Sequence, residues 1–137
     1  MHWLHRTVAM MRWIVDAMNV IGVRPDGWWK DRHGAMVRLT RQLERWAAAQ
    51  GGQVTVVFEK PPVPPIASDV ITIAAAPRSG ANSADDEIVR LVRSDDRPQD
   101  ITVVTSDSAL VQRVTTAGAA TVPAARFRRL IEEAPGR

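Results

Sequence analysis

The chain has 137 residues, 45% hydrophobic and 24% charged, which fits one globular domain with its own core and excludes a disordered or fibrous polymer. It holds no cysteine, so disulfides, thiolate metal sites and cysteine nucleophiles are ruled out, and no apolar run approaches the roughly 18 residues of a membrane span. Eighteen basic residues against fifteen acidic ones give a net charge of +3.

That charge is unevenly spread. Arg24 to Arg45 carries six cations and three anions, whereas Asp85 to Asp107 carries seven anions and three cations. One cationic and one anionic region is the arrangement that a metal-assisted enzyme acting on polyphosphate needs, and it is also an ordinary surface pattern. Sixteen of the eighteen cations are Arg, whose planar fork matches two phosphate oxygens at once; GC-rich coding gives the same excess.

Residues 1–11 read as a loose N-terminal extension. They lack the basic start, long apolar middle and small-residue cleavage site of a secretion signal, so the expected location is cytoplasmic. Met10 and Met11 are alternative starts to Met1. The domain is expected over residues 12–133, followed by a short tail, 134–137.

Arg12 to Asp16 is a short apolar run closed by an acid and reads as a buried strand. Gly22, Pro25 and Gly27 mark a loop. A helix is predicted from His33 to Gln50, with Met36, Leu39, Leu43, Trp46 and Ala47 on one face, stopped by Gly51-Gly52. Gln53 to Phe58 is a β-branched second strand, as for a strand covered on both faces. Lys60-Pro-Pro-Val-Pro-Pro65 is a stiff extended connector, followed by a third strand over Val70 to Ala74. After a loop, Pro77 to Asn82, come a helix from Ala84 to Arg93, a fourth strand from Ile101 to Thr105 and a helix from Ser108 to Thr116. A short fifth strand, Ala120 to Val122, precedes a last helix whose first turn holds Pro123 and which runs to Glu133. Strands alternating with helices predict an α/β fold of three layers, α/β/α, around a mainly parallel sheet.

Ligands in such sheets collect beyond the carboxyl ends of the strands. Asp16 closes strand one with Asn19 three residues on, Glu59 closes strand two, Asp85 and Asp86 open the helix after strand three, and Thr105-Ser106-Asp107 closes strand four. Carboxylates gathered in one crevice repel each other unless a cation neutralises them, and an all-oxygen donor set favours Mg²⁺ or Mn²⁺. Each acid also has a plainer role open to it. Asp107 fits the N-cap of its helix, Ser83-x-x-Asp86 fits a capping box, and Asp16 fits an Asx-turn. Asp85 is therefore preferred to Asp86 as the closer ligand.

Asp16-Ala-Met-Asn19-Val-Ile, Val56-Val-Phe-Glu59, Ser83-Ala-Asp85-Asp86-x-Ile88 and Val103-Val-Thr-Ser106-Asp107, in this order, resemble the NYN family of PIN-like nucleases, in its bacterial ribonuclease-like branch. The resemblance runs from Arg12 to Ile131. It implies a PIN-like (Rossmann-like) sheet and an endoribonuclease in which Asp16, Asp85 and Asp107 are catalytic and hold the metal, with Asp86 nearby and Asn19, Ser106 and Glu59 in support. Strand two of such proteins often ends in Phe-Asp, and Phe58-Glu59-Lys60 departs from this, displacing the acid or pairing it with Lys60.

RNA, single-stranded and including mRNA, is the implied partner, held by Arg24, Lys30, Arg32, Arg38 and Arg41. Trp28 and Trp29 either stack on unpaired bases or cover the core edge, with at least one expected to pack. Arg126, Arg128 and Arg129 form a second basic cluster, read as a solvated face. The competing readings are an RNA-binding domain without catalysis and a Mg²⁺-dependent hydrolase of nucleotide phosphoanhydrides. A dinucleotide-binding protein is disfavoured, because no G-x-G-x-x-G follows strand one.

Overall fold

The computed structural model describes residues 11–77, 80 and 82–133. The expected extension, apart from Met11, and the expected tail lie outside the described residues. The elements are β1 (Arg12–Asp16), α1 (Ala17–Ile21), α2 (Arg32–Gln50), β2 (Gln53–Phe58), β3 (Thr72–Ala75), α3 (Ser83–Arg93), β4 (Ile101–Val104), α4 (Ser108–Thr116), β5 (Ala120–Val122) and α5 (Ala124–Glu132).

All five strands pair in parallel, in the order β3-β2-β1-β4-β5. Successive side chains of a strand point to opposite faces, and both faces here are covered. Trp13 and Val15 of β1 and Val54, Val56 and Phe58 of β2 pack under α1, α2 and α5. Ile14 of β1 and Val57 of β2 pack under α3 and α4. The three expected layers are therefore present.

On the first face Trp13, Trp46 and Phe127 tie β1, α2 and α5 together. Trp46 stands edge-on to both partners, with ring centroids 5.0 Å from each. Such pairs add about 0.5–1.5 kcal/mol beyond the area they bury.

Helix α2 forms where its apolar stripe meets good end signals. The Asp31 carboxylate accepts from the Gly34 N–H at 3.0 Å, and Gly51 closes the helix with a left-handed φ of 81°. Three local expectations shift. Residues 17–21, which carried no helical expectation, form α1. β3 starts at Thr72 rather than Val70, because the N–H groups of Val70 and Ile71 donate to Ser68 Oγ and are lost to the sheet. Pro123 is the residue before α5, in extended conformation, rather than part of its first turn; its carbonyl accepts from the Phe127 N–H.

The connector between β2 and β3 carries no helix. His33 Nε2 lies 2.7 Å from the Pro64 carbonyl, and Arg41 donates to the Ala67 carbonyl at 3.1 Å. The proline tract is thereby strapped against α2.

Candidate active site

The strand order places a topological switch between β1 and β4: the chain moves outward through β2 and β3, then returns to the other side of β1. Parallel sheets open a crevice at the carboxyl edge at that point. Here the crevice is a cleft of about 240 Å³, lined by Asp16, Asn19, Glu59, Ser83, Asp85 and Asp107 among others.

Asp16 is only 5% exposed and sits in the N-cap position of α1, yet its side chain makes no capping hydrogen bond. The Asx-turn role considered for it is thus not taken up. One of its oxygens, Oδ2, accepts from Thr105 Oγ1 at 2.9 Å. Burial pushes its carboxyl up from the ordinary 3.8 to about 6. The Thr105 hydrogen bond opposes this, the charges of Asp85 and Asp107 add to it, and the nearby Asn19 backbone N–H opposes it weakly. Asp85 is raised too, by burial first and then by Asp107, with Arg113 pulling the other way and Asp86 adding a little.

Asp107 does cap α4: its Oδ1 accepts from the Leu110 N–H at 3.0 Å. A carboxylate has a second oxygen, so capping leaves one free for the cleft.

Asn19 and Ser106 act as struts. Asn19 Oδ1 accepts from the Ser106 N–H at 2.9 Å, while Ser106 Oγ accepts from the Ala124 N–H at 2.9 Å. Together they fix the β4–α4 loop against α1 on one side and α5 on the other.

Thr105 is expected from sequence only as one of the polar residues closing strand four, with no role in the site. It is buried, donates to Asp16 and accepts from the Asp107 N–H at 3.2 Å, so one hydroxyl joins two of the three acids. Its signal is a hydroxyl at the carboxyl end of strand four, directly before Ser106 and Asp107.

Two acids stand differently from expectation. The capping box at Ser83 does not form: Ser83 is the first residue of α3, and its Oγ donates to the Glu59 carbonyl at 3.0 Å. Asp86 instead accepts from Arg113 at 3.0 Å, on the exposed side of α3. That ion pair ties α3 to α4 and keeps Asp86 out of the cleft lining. Glu59 lines the cleft but pairs loosely with Arg32, at 3.9 Å, rather than with Lys60.

The expected RNA-holding residues divide. Arg24 pairs with Glu132, Arg41 with Glu44, and Arg32 lies over the Trp28 ring at 5.2 Å. Lys30 and Arg38 are exposed and form no ion pair among the described residues. Trp28 packs on the core while Trp29, set edge-on to it, stays 49% exposed, so the pair splits between the two roles. Arg128 is no solvated cation. It donates to the Val20 and Ile21 carbonyls at the end of α1.

Among the described residues no three His, Asp or Glu side chains stand close enough together, as placed, to hold a metal ion. The donor chemistry still fits a hard divalent cation. A buried carboxylate faces two more acids, none of the three is ion-paired among the described residues, and every donor is oxygen. Mg²⁺ in particular keeps several waters and takes only one or two carboxylates.

Among the described residues no helix is long and apolar enough to cross a membrane. No curated protein matches the sequence. The fold is similar to the crystal structure of Rae1 (YacP) from Bacillus subtilis, at TM-score 0.71 and 24% identity, over 88% of this chain and 72% of that one. A tryptophan-to-leucine variant of the same protein matches with TM-score 0.71 and 22% identity, over 88% and 74%. At that identity the likeness shows the fold, which is PIN-like. The family model described as the YacP-like NYN domain matches residues 13–137, and the chain belongs to that family.

Proposed function

We propose that this chain is a metal-dependent endoribonuclease that hydrolyses phosphodiester bonds of single-stranded RNA, mRNA included, in the cytoplasm. The observation that carries the reading is Asp16, a buried carboxylate that shares one cleft with two other acids, with its charge uncompensated by any cation of the described chain. Family membership supports a nuclease-type function with RNA as substrate.

Asp16, Asp85 and Asp107 would hold Mg²⁺ or Mn²⁺, and such an ion supplies neutralisation of phosphate charge and an activated water for in-line attack. The chain's residues do the positioning. Thr105 holds Asp16 and the backbone before Asp107 in register, and the Asn19–Ser106 strut keeps the two strand ends from parting. Lys30 and Arg38, exposed and without an ion pair among the described residues, provide phosphate contacts without sequence choice, so RNA affinity falls steeply with salt.

The test is cleavage of labelled single-stranded RNA in Mg²⁺ and in Mn²⁺. Wild type cuts internally, Asp85→Asn loses at least about 100-fold in rate, the scale on which charge-stabilising groups act, and Asp86→Asn stays within about 3-fold because its partner is Arg113. RNA bound but uncut in either metal contradicts the catalytic reading. Phosphate release from nucleoside triphosphates with RNA left intact contradicts the substrate.

A further inference from the structure

Beside the acidic cleft lies a second, larger cavity of about 500 Å³. The two share Met18 and Glu59 in their linings, so they adjoin across those two side chains. The floor of the larger one is apolar, from Met18, Met36 and Phe58, and its outer wall is the proline tract, Pro61 to Val63. Arg32, His33 and Lys60 stand at its rim. That wall is fixed by the contact of His33 with the Pro64 carbonyl. Its size and mostly apolar lining with a few polar groups are those of a small-molecule site.

A flat, apolar-faced group attached to an anion meets that description from both sides. The floor and wall offer thioether and pyrrolidine surface to a ring, while Arg32 and Lys60 offer positive charge to a phosphate on the way to the cleft. Glu59 sits between the two cavities with Arg32 at 3.9 Å, a contact loose enough for a phosphate to compete for the guanidinium. Duplex RNA keeps its bases stacked inward, so only an unpaired base enters a side pocket.

We propose that this cavity is a nucleobase subsite, which receives one unpaired base of the RNA next to the bond that is cut. The inference rests on the ribonuclease reading and makes it more specific: single-strand preference comes from this pocket, and one nucleotide flanking the scissile phosphate is anchored by its base. Trp29 is not needed for it.

The experiment scans a fluorescent aminopurine through a short single-stranded RNA, one position at a time, and records its emission on binding to the full-length Asp107→Asn chain in Mg²⁺. One position responds, and filling the cavity with Met36→Trp in that background abolishes the response and weakens binding on the order of 10-fold, the size of one base contact. Pro62→Asp places a charge in the same cavity from the connector, outside the core, and gives the same result independently should Met36→Trp fold poorly. If no position responds, or if both cavity variants bind with the response intact, the pocket is overturned.

Cleavage by the wild-type chain in Mn²⁺ is scored separately. RNA that is cut with no responding position removes the pocket and keeps the nuclease; a responding position with uncut RNA removes the nuclease and keeps the pocket.

Discussion

Replacing Asp16 by Asn is expected to stabilise the protein and to inactivate it. In the folded chain the Asp16 carboxyl holds its proton up to about pH 6, whereas in the unfolded chain it releases it near 3.8. The folded state therefore binds more protons between those values. The contribution of this group to stability is complete below about pH 4 and is lost as pH rises through about 6. At about 1.4 kcal/mol for each factor of ten, the loss at neutral pH is on the order of 2–3 kcal/mol.

Asn carries no charge to bury and still accepts from Thr105 Oγ1. Denaturant titrations should thus show the variant and wild type nearly equal at pH 4 and the variant more stable at pH 7, by about that amount. Glu44, Glu87 and Asp95 shift in the opposite direction through their hydrogen-bonded and charged partners, so the difference between the two proteins, not the wild-type curve alone, isolates Asp16. Cleavage by the variant should fall at least about 100-fold. Equal stability at both pH values would show that the charge is already compensated.

Asp107 gives the second large effect, and here the two roles of one side chain come apart. Asn caps a helix as well as Asp does, so Asp107→Asn keeps the bond to the Leu110 N–H and should unfold within about 0.5 kcal/mol of wild type. Asp107→Ala loses the cap and should cost about 1 kcal/mol. Both should lose cleavage by at least about 100-fold, since both remove the charge. A variant series in which activity tracks stability instead, with Asn active and Ala inactive, would reduce Asp107 to a cap.

The sheet was legible because its strands announce themselves: Gln53 to Phe58 and Ile101 to Thr105 are β-branched and apolar, and each is followed by polar residues at the edge where ligands bind. Parallel pairing then brings those ends together, which is why Asp16, Asp85 and Asp107 line one cleft despite lying 91 positions apart at the extremes.

What the sequence concealed depends on contacts between distant residues. Local spacing offered Asp86 a capping box, but Arg113, one helix further on, pairs with it instead. Thr105 is a strand end in the sequence, and only the fold makes its hydroxyl a bridge between Asp16 and the Asp107 N–H. The proline tract was readable as stiff, yet its return across α2, fixed by His33 at Pro64, appears only in three dimensions, and with it the second cavity. Helix α1 escaped because five residues are too few for a periodic signal.

If Asp16, Asp85 and Asp107 hold a divalent cation, crystals soaked in Mn²⁺ should reveal it by anomalous diffraction. The expected result is a manganese peak in the cleft, within bonding distance of Asp16 and of Asp85 or Asp107. A peak only at other acids, such as Asp95 and Asp100 at the far edge of the sheet, or none in a crystal that binds RNA, would contradict it.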